Sequence, residues 1–200
     1  MRVLVACEYS GTVRRAFAAK GHEAWSCDLL PADDGSPNHI MGDVGHLING
    51  PGAQTWDLMV AHPPCTYMTN AGVCWLHKDP SRWGKLEEAA EFFKLLYHAD
   101  IKKVCIENPI MHKYARELVE YGYAQVIQPW MFGHTEQKAT CLWLRGLPAL
   151  VGTSNVKAEM MALPHRERNK MHYLPPSKDR WKLRSKTYDG IAAAMAEQWG

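Results

Sequence analysis

The sequence has no Cys-x-x-Cys pair, no glycine-rich phosphate fingerprint, no apolar run of membrane-spanning length and almost no net charge, formally +2. Each absence removes a class of function. The six cysteines, Cys7, Cys27, Cys65, Cys74, Cys105 and Cys141, lack the paired spacing of a structural zinc site. Three of them, Cys7, Cys27 and Cys105, lie in or beside apolar runs, as in a reduced cytoplasmic chain with no metal centre. The first strand-to-helix turn holds a single glycine, Gly11, too few to wrap a dinucleotide pyrophosphate, which argues against a nicotinamide-dependent oxidoreductase. With neither a signal peptide nor a long apolar segment, no membrane partner is expected.

What is present describes a folded domain. Two hundred residues, 46% of them hydrophobic and eight of them tryptophan, suffice for one sizeable core, alone or with a short appendage. Charge is unevenly placed. His165 to Lys186 contains eight Lys/Arg against two Asp/Glu, a local +6, leaving the remainder at −4. A basic strip on an acidic body suits a polyanion, and a solvated charged face is the alternative. His172, Tyr173 and Trp181 are interleaved with the cations, as stacking combined with phosphate contact requires, although Trp181 could instead dock the segment.

Along the chain, Arg2 to Cys7 is a short apolar run suited to a central parallel strand, and Glu8-Tyr9-Ser10-Gly11 turns it into a helix from Thr12 to Lys20. Ala24 to Cys27 is a second strand closed by Asp28, completing a βαβ unit whose terminal acid suits ribose hydroxyls. His39 to Met41 is a third strand, followed by Asp43, which reads equally as a cofactor contact or as the cap of one helical turn from Val44 to Ile48. Asp79-Pro80 opens a helix to about Tyr97, with Trp83, Leu86, Ala90, Phe93 and Tyr97 on its core face. A helix from Met111 to Tyr121, strands at 123–128 and 141–144, and a last helix from Ile191 to Trp199 complete the order.

Two strand ends carry the chemistry. Asp57 to Ala61 is an apolar run halted by Pro63-Pro64, which delivers Cys65 onto a loop at the carboxyl edge of a sheet. Ile101 to Glu107 is a second strand, ending in Glu107-Asn108-Pro109. A nucleophile on one strand end and a carboxylic acid on the next suit attack on a heteroaromatic ring and its protonation. The competing reading of Cys65 is a small buried hydrophobe. The loop from Thr66 to Lys78, with Asn70, Ala71-Gly72 and Trp75, has the length of a lid.

Pro-Pro-Cys65 followed by Glu107-Asn108-Pro109 resembles the catalytic signatures of the DNA cytosine carbon-5 methyltransferases. The resemblance runs from residue 2 to about 145, resumes near 184, and is to a compact, phage-type member lacking a large target-recognition domain. It implies a doubly wound, Rossmann-like α/β fold with a mixed seven-stranded sheet. It divides the chain into a catalytic domain at 1–146, a basic lobe at 147–184 and a returning turn and helix at 185–200.

Carried over residue by residue, the resemblance makes Cys65 the nucleophile toward carbon 6 and Glu107 the acid at N3, with Asn108 shaping the second loop. S-adenosylmethionine is the implied methyl donor. It would be held by Glu8, Tyr9, Ser10 and Gly11 at its methionine end, Asp28 at the ribose and Asp43 near adenine, with Leu29, Val44, Pro63 and Thr187 completing the pocket. Lys138 and Thr140 stand where the family has two arginines addressing the base, so base recognition departs from the usual scheme. DNA is the expected partner, met by Asn70, Lys170, Lys178, Arg180, Trp181, Lys182 and Arg184. RNA, single strands or a free nucleotide are alternative substrates, and a non-catalytic nucleic-acid binder is the alternative from another class.

Overall fold

The structure, a computed structural model, describes residues 1–49 and 55–200. Seven strands form one sheet: β1 (Arg2–Ala6), β2 (Glu23–Asp28), β3 (His39–Met41), β4 (Leu58–Ala61), β5 (Lys103–Pro109), β6 (Gln125–Ile127) and β7 (Thr140–Arg145), in the order β3-β2-β1-β4-β5-β7-β6. β1 to β5 are mutually parallel, and β7 runs antiparallel to both of its neighbours. This is the doubly wound, Rossmann-like mixed sheet that the resemblance implies.

The central strands are apolar on both sides because helices cover both faces. Val3 and Val5 of β1, Leu58 and Val60 of β4, Cys105 of β5 and Leu142 of β7 face one core. That core is closed by Val13 and Phe17 of α1 (Thr12–Ala19) and by Ile191, Met195 and Trp199 of a C-terminal helix, Asp189–Trp199. The alternate residues Leu4, Ala6, Met59, Ala61, Val104, Ile106 and Trp143 face the other. Leu86, Ala90, Phe93 and Leu96 of a helix at Ser81–Tyr97, and Ala115 and Val119 of another at Lys113–Val119, cover it. The core stripe expected from 83 to 97 is therefore the face that packs, with Trp83 and Tyr97 at its partly buried margin.

At three places the structure departs from the sequence reading or favours one of its alternatives, each for a local reason. β5 continues past Glu107, because antiparallel β7 extends the ladder by pairing Glu107 with Leu142, Asn108 with Cys141 and Pro109 with Thr140. Asp43 adopts the turn role: its Oδ1 accepts from Gly45 N at 2.8 Å at the start of a single turn, Gly45–Ile48. The segment read from sequence as a basic lobe at 147–184 carries three short helices, Lys157–Ala162, His165–Arg168 and Lys170–Tyr173, and a fourth, Arg180–Ser185, that runs one residue past it. No helix among the described residues is long and apolar enough to cross a membrane.

Candidate active site

The parallel strands place their carboxyl ends on one edge, and the chain bends there into a cavity of about 670 Å³. β4 gains one further ladder bond beyond its end, His62 N to Ala6 O at 2.9 Å, before Pro63 and Pro64 remove the next donors. Cys65 follows on a loop closed by Met68 N and Thr69 N, both donating to its carbonyl at 3.1 and 3.2 Å. His112 anchors the same loop through Nε2 donating to Tyr67 O at 2.8 Å. Gly72 is required there, since a Cβ would lie 2.7 Å from Thr66 O. From β5, Asn108 Nδ2 donates to Pro63 O at 3.1 Å, which ties the end of β5 to the segment after β4. Cys65 and Glu107 line the same cavity, as do Pro63, Pro64, Pro109 and Lys138.

A group with no role in the sequence reading completes this edge. His62 Nδ1 lies 2.9 Å from Glu107 Oε2, with side-chain exposures of only 10% and 15%. Burial favours neutral forms of both, but the pairing wins in each case. Burial pushes the Glu107 carboxyl up, whereas His62, Lys138 and the Thr140 hydroxyl hold it below the ordinary value. Burial pulls His62 down, whereas the Glu107 hydrogen bond and charge, helped by Glu8 and opposed by Lys138, hold it above. The pairing therefore favours the ionised carboxylate and the protonated imidazole over their neutral forms. Cys65 goes the other way from the activation expected for a nucleophile. Burial and then Glu107 push its thiol up, and Lys138 and Arg184 reduce the rise without reversing it.

The other half of the cavity is walled by Cys7, Glu8, Tyr9, Ser10, Asp28 and Leu30. Gly11 has φ +67° and a Cβ there would fall 2.4 Å from Arg14 Nη2, so glycine is needed to enter α1. The Glu8 carboxylate is engaged by that helix, accepting from Val13 N at 2.6 Å and Arg14 N at 3.2 Å, where a negative charge is favoured. Asp28 Oδ1 accepts from Leu30 N at 3.0 Å, a turn that brings Leu30 to the wall. Leu29, the next residue after β2, is 76% exposed and does not line the cavity. Val44 is buried in the sheet core, and Asp43 is exposed in its turn. An acid at the end of β2 beside aromatic and apolar walls fits the nucleoside part of S-adenosylmethionine, while the adenine contact assigned to Asp43 lies outside this cavity.

The basic strip folds back over that half. Trp181 lies 5.7 Å from Tyr9 between ring centroids, and the Tyr9 hydroxyl donates to Lys182 O at 3.2 Å. Trp181, Arg184, Ser185, Lys186 and Thr187 all line the cavity, and Lys138 Nζ donates to Arg184 O at 2.8 Å. Several strip cations have partners within the chain: Lys170 pairs with Glu136 at 2.7 Å, and Arg180 Nη2 donates to His172 O at 3.2 Å. Lys182 sits over Tyr9 and Trp181. Lys178 and Arg166 are exposed, as is Asn70 at the start of a four-residue helical turn, Asn70–Val73. Arg82, also unassigned from sequence, reaches the cavity with its guanidinium 4.7 Å from the Tyr67 ring centroid and its Nε buried without a partner among the described residues.

No protein-family model and no curated protein matches the chain. Solved structures similar to it include a protein described as a DNA modification methyltransferase encoded within an E. coli prophage, at 16% identity and TM-score 0.48, covering 82% of this chain and 56% of that one. Another is the Entamoeba histolytica methyltransferase EhMeth, at 12% identity and TM-score 0.47, covering 78% of this chain and 57% of that one. A third is the S. pombe Dnmt2 methyltransferase, at 15% identity and TM-score 0.39, covering 90% and 61%. The chain thus spans 56% to 61% of the length of these structures.

Proposed function

We propose that the chain is an S-adenosylmethionine-dependent DNA cytosine-5 methyltransferase. The observation that carries this reading is that Cys65 and Glu107, from the carboxyl ends of adjacent parallel strands, line one cavity whose other half is closed by Asp28, Tyr9 and Trp181. When bound, S-adenosylmethionine supplies an electrophilic methyl group on sulfur. The protein's part is to make cytosine carbon 5 electron-rich. Cys65 adds as thiolate to carbon 6, Glu107 hydrogen-bonds and protonates N3, and carbon 5 becomes nucleophilic. Asn108 ties the end of β5 to the Cys65 loop, and Lys138 lowers the cost of the negative charge that develops on sulfur. Residues 147–184 serve in place of a recognition domain, closing the cofactor half with α-helical residues Trp181 and Arg184 while presenting Arg166 and Lys178 outward. The target base must leave a duplex stack at a cost of a few kcal/mol, to be offset by contacts from the strip and the 66–78 loop.

The test is transfer from methyl-labelled S-adenosylmethionine to duplex DNA, single-stranded DNA, RNA and dCMP in parallel. Label is expected in cytosine of DNA. Transfer to dCMP as efficient as to DNA would replace the reading with a nucleotide-level enzyme, and no transfer to any of the four would favour a binding protein.

Cofactor affinity provides a second check. Asp28→Asn keeps an oxygen for the Leu30 turn but removes the charge that strengthens a hydrogen bond to a ribose hydroxyl, worth ~1.5 to 3 kcal/mol, so binding should weaken on the order of 10- to 100-fold. Unchanged affinity by isothermal titration would remove Asp28 from the cofactor site.

Nucleic-acid affinity should depend on salt. If about four strip cations meet phosphates, the binding constant should fall with salt at a log–log slope of about −3 to −4. Replacing Arg166 and Lys178 by glutamine should reduce that slope by about two while leaving cofactor affinity unchanged, because neither residue lines the cavity. A salt-independent wild type would mark the strip as a solvated face.

A further inference from the structure

We infer that His62 is a positioning residue that stores the proton Glu107 passes to N3 of the target base. The inference rests on the cytosine reading above and assigns the proton a place the reading leaves open. A carboxylate that is ionised at rest has no proton to give, and the Glu107 carboxylate is held ionised. The hydrogen-bonded neighbour that holds it so, His62, is itself the nearest proton carrier, with Nδ1 2.9 Å from Oε2.

The surroundings support storage over mere packing. His62 is nine-tenths buried on the side-chain measure, lines the cavity, and has its second nitrogen, Nε2, buried with no partner among the described residues. A structural ion pair would satisfy both ring nitrogens, since an unpaired buried one costs ~1 to 3 kcal/mol. The charged groups facing His62 are Glu107 from β5, Glu8 from the turn after β1 and Lys138 from the approach to β7. Two negative charges against one positive favour the protonated imidazole against the effect of burial. Cys65, on the same loop, feels the Glu107 carboxylate as a burden on its own ionisation. A proton moving from His62 to Glu107 removes that burden while ring attack is under way.

The Cys65 thiol proton leaves to water. The sulfur–carbon 6 bond forms, the ring π pair shifts toward N3, and N3 takes a proton from Glu107 as Glu107 takes one from His62 Nδ1. Carbon 5 then forms its bond to the methyl carbon, whose bond to the donor sulfur breaks with the electron pair remaining on that sulfur. Water removes the carbon 5 proton, the sulfur–carbon 6 bond breaks, and the N3 proton returns through Glu107 to His62. Cys65 regains a proton from water.

His62→Asn separates storage from geometry, since an asparagine amide can donate where Nδ1 does but cannot carry the proton. The experiment uses the full chain, S-adenosylmethionine and duplex DNA containing 5-fluorocytosine, and follows covalent adduct formation between pH 5.5 and 9. His62→Asn is expected to slow adduct formation about 100-fold, with little change in the KM for DNA. Its alkaline limb should move at least tenfold toward higher proton concentration, because Glu107 alone holds a proton only at lower pH. Wild-type rate and an unmoved limb in His62→Asn would overturn the inference, as would a slower variant whose limb is unmoved, which marks packing alone. Should the variant not fold, the ¹⁵N titration of His62 in the wild-type protein decides: a ring already neutral at pH 6 overturns storage, and one still protonated above pH 7 supports it. Failure of the wild type to form any adduct would instead overturn the cytosine reading itself.

Discussion

Cys65→Ser is expected to abolish methyl transfer and to leave the fold and S-adenosylmethionine affinity unchanged. Serine matches the cysteine in shape, and the loop around it is held by bonds that do not involve sulfur: the Cys65 carbonyl accepts from Met68 N and Thr69 N, and Asn108 secures Pro63. A hydroxyl in the same place cannot provide an anion to carbon 6, because its proton is far harder to remove than a thiol's. The wild-type rate should rise with pH on the acid side, since burial and Glu107 hold the thiol protonated at rest. 5-Fluorocytosine in the target position leaves no proton to abstract from carbon 5, so the wild type should become trapped as a covalent adduct that resists denaturing electrophoresis. Cys65→Ser should form none. A serine variant that still transfers methyl, together with a wild type that turns over and is never trapped, would assign the nucleophile elsewhere.

The sequence makes the sheet legible because its signals are local. Val3 to Ala6 and Leu58 to Ala61 are continuous apolar runs, as strands covered on both faces must be, and Pro63-Pro64 ends its strand by removing donors. The juxtaposition of Cys65 with Glu107 follows once β4 and β5 are parallel neighbours. What stayed hidden depends on distant partners. His62 reads locally as a strand-end residue before two prolines, and its meaning comes from Glu107, 45 residues away. Arg82 sits at the start of a helix whose apolar stripe dominates the reading, and only the fold turns it toward the cavity. Trp181 has the character of a nucleic-acid contact, yet its ring packs against Tyr9, near the opposite end of the chain. Leu30 reaches the cavity through the turn that Asp28 closes past the end of β2, while Leu29 is exposed, and no strand alternation extends into that turn. Asp43 carried two readings that no local feature separates, and its bond to Gly45 N favours the turn.

Glu107→Gln should produce opposite changes in two properties of one residue, and this makes it the more discriminating variant. Transfer should fall by roughly 10²- to 10⁴-fold, the span associated with loss of a positioned general acid. Cys65, however, should become easier to alkylate. The Glu107 carboxylate is the second influence, after burial, that raises the thiol, and glutamine removes that charge while Lys138 and Arg184 continue to favour the thiolate. Iodoacetamide labelling followed by peptide mapping reads this directly, with exposed Cys74 as the reference thiol in the same sample. Stability should change shape as well. Glu107 is depressed in the fold, so its contribution is present above its unfolded value and is lost as pH falls through the folded one. His62 is raised, so its contribution is present below its unfolded value and is lost as pH rises through the folded one. With unfolded values of ~4.3 and ~6.5, the pair stabilises most between those limits, and Glu107→Gln should flatten the denaturation midpoint across that window. In the variant, burial acts on His62 with only the more distant Glu8 to oppose it, and the imidazole should titrate at a lower pH than in the wild type. A glutamine variant with reduced transfer and unchanged Cys65 labelling would separate the acid from the nucleophile, and the two would no longer be members of one site.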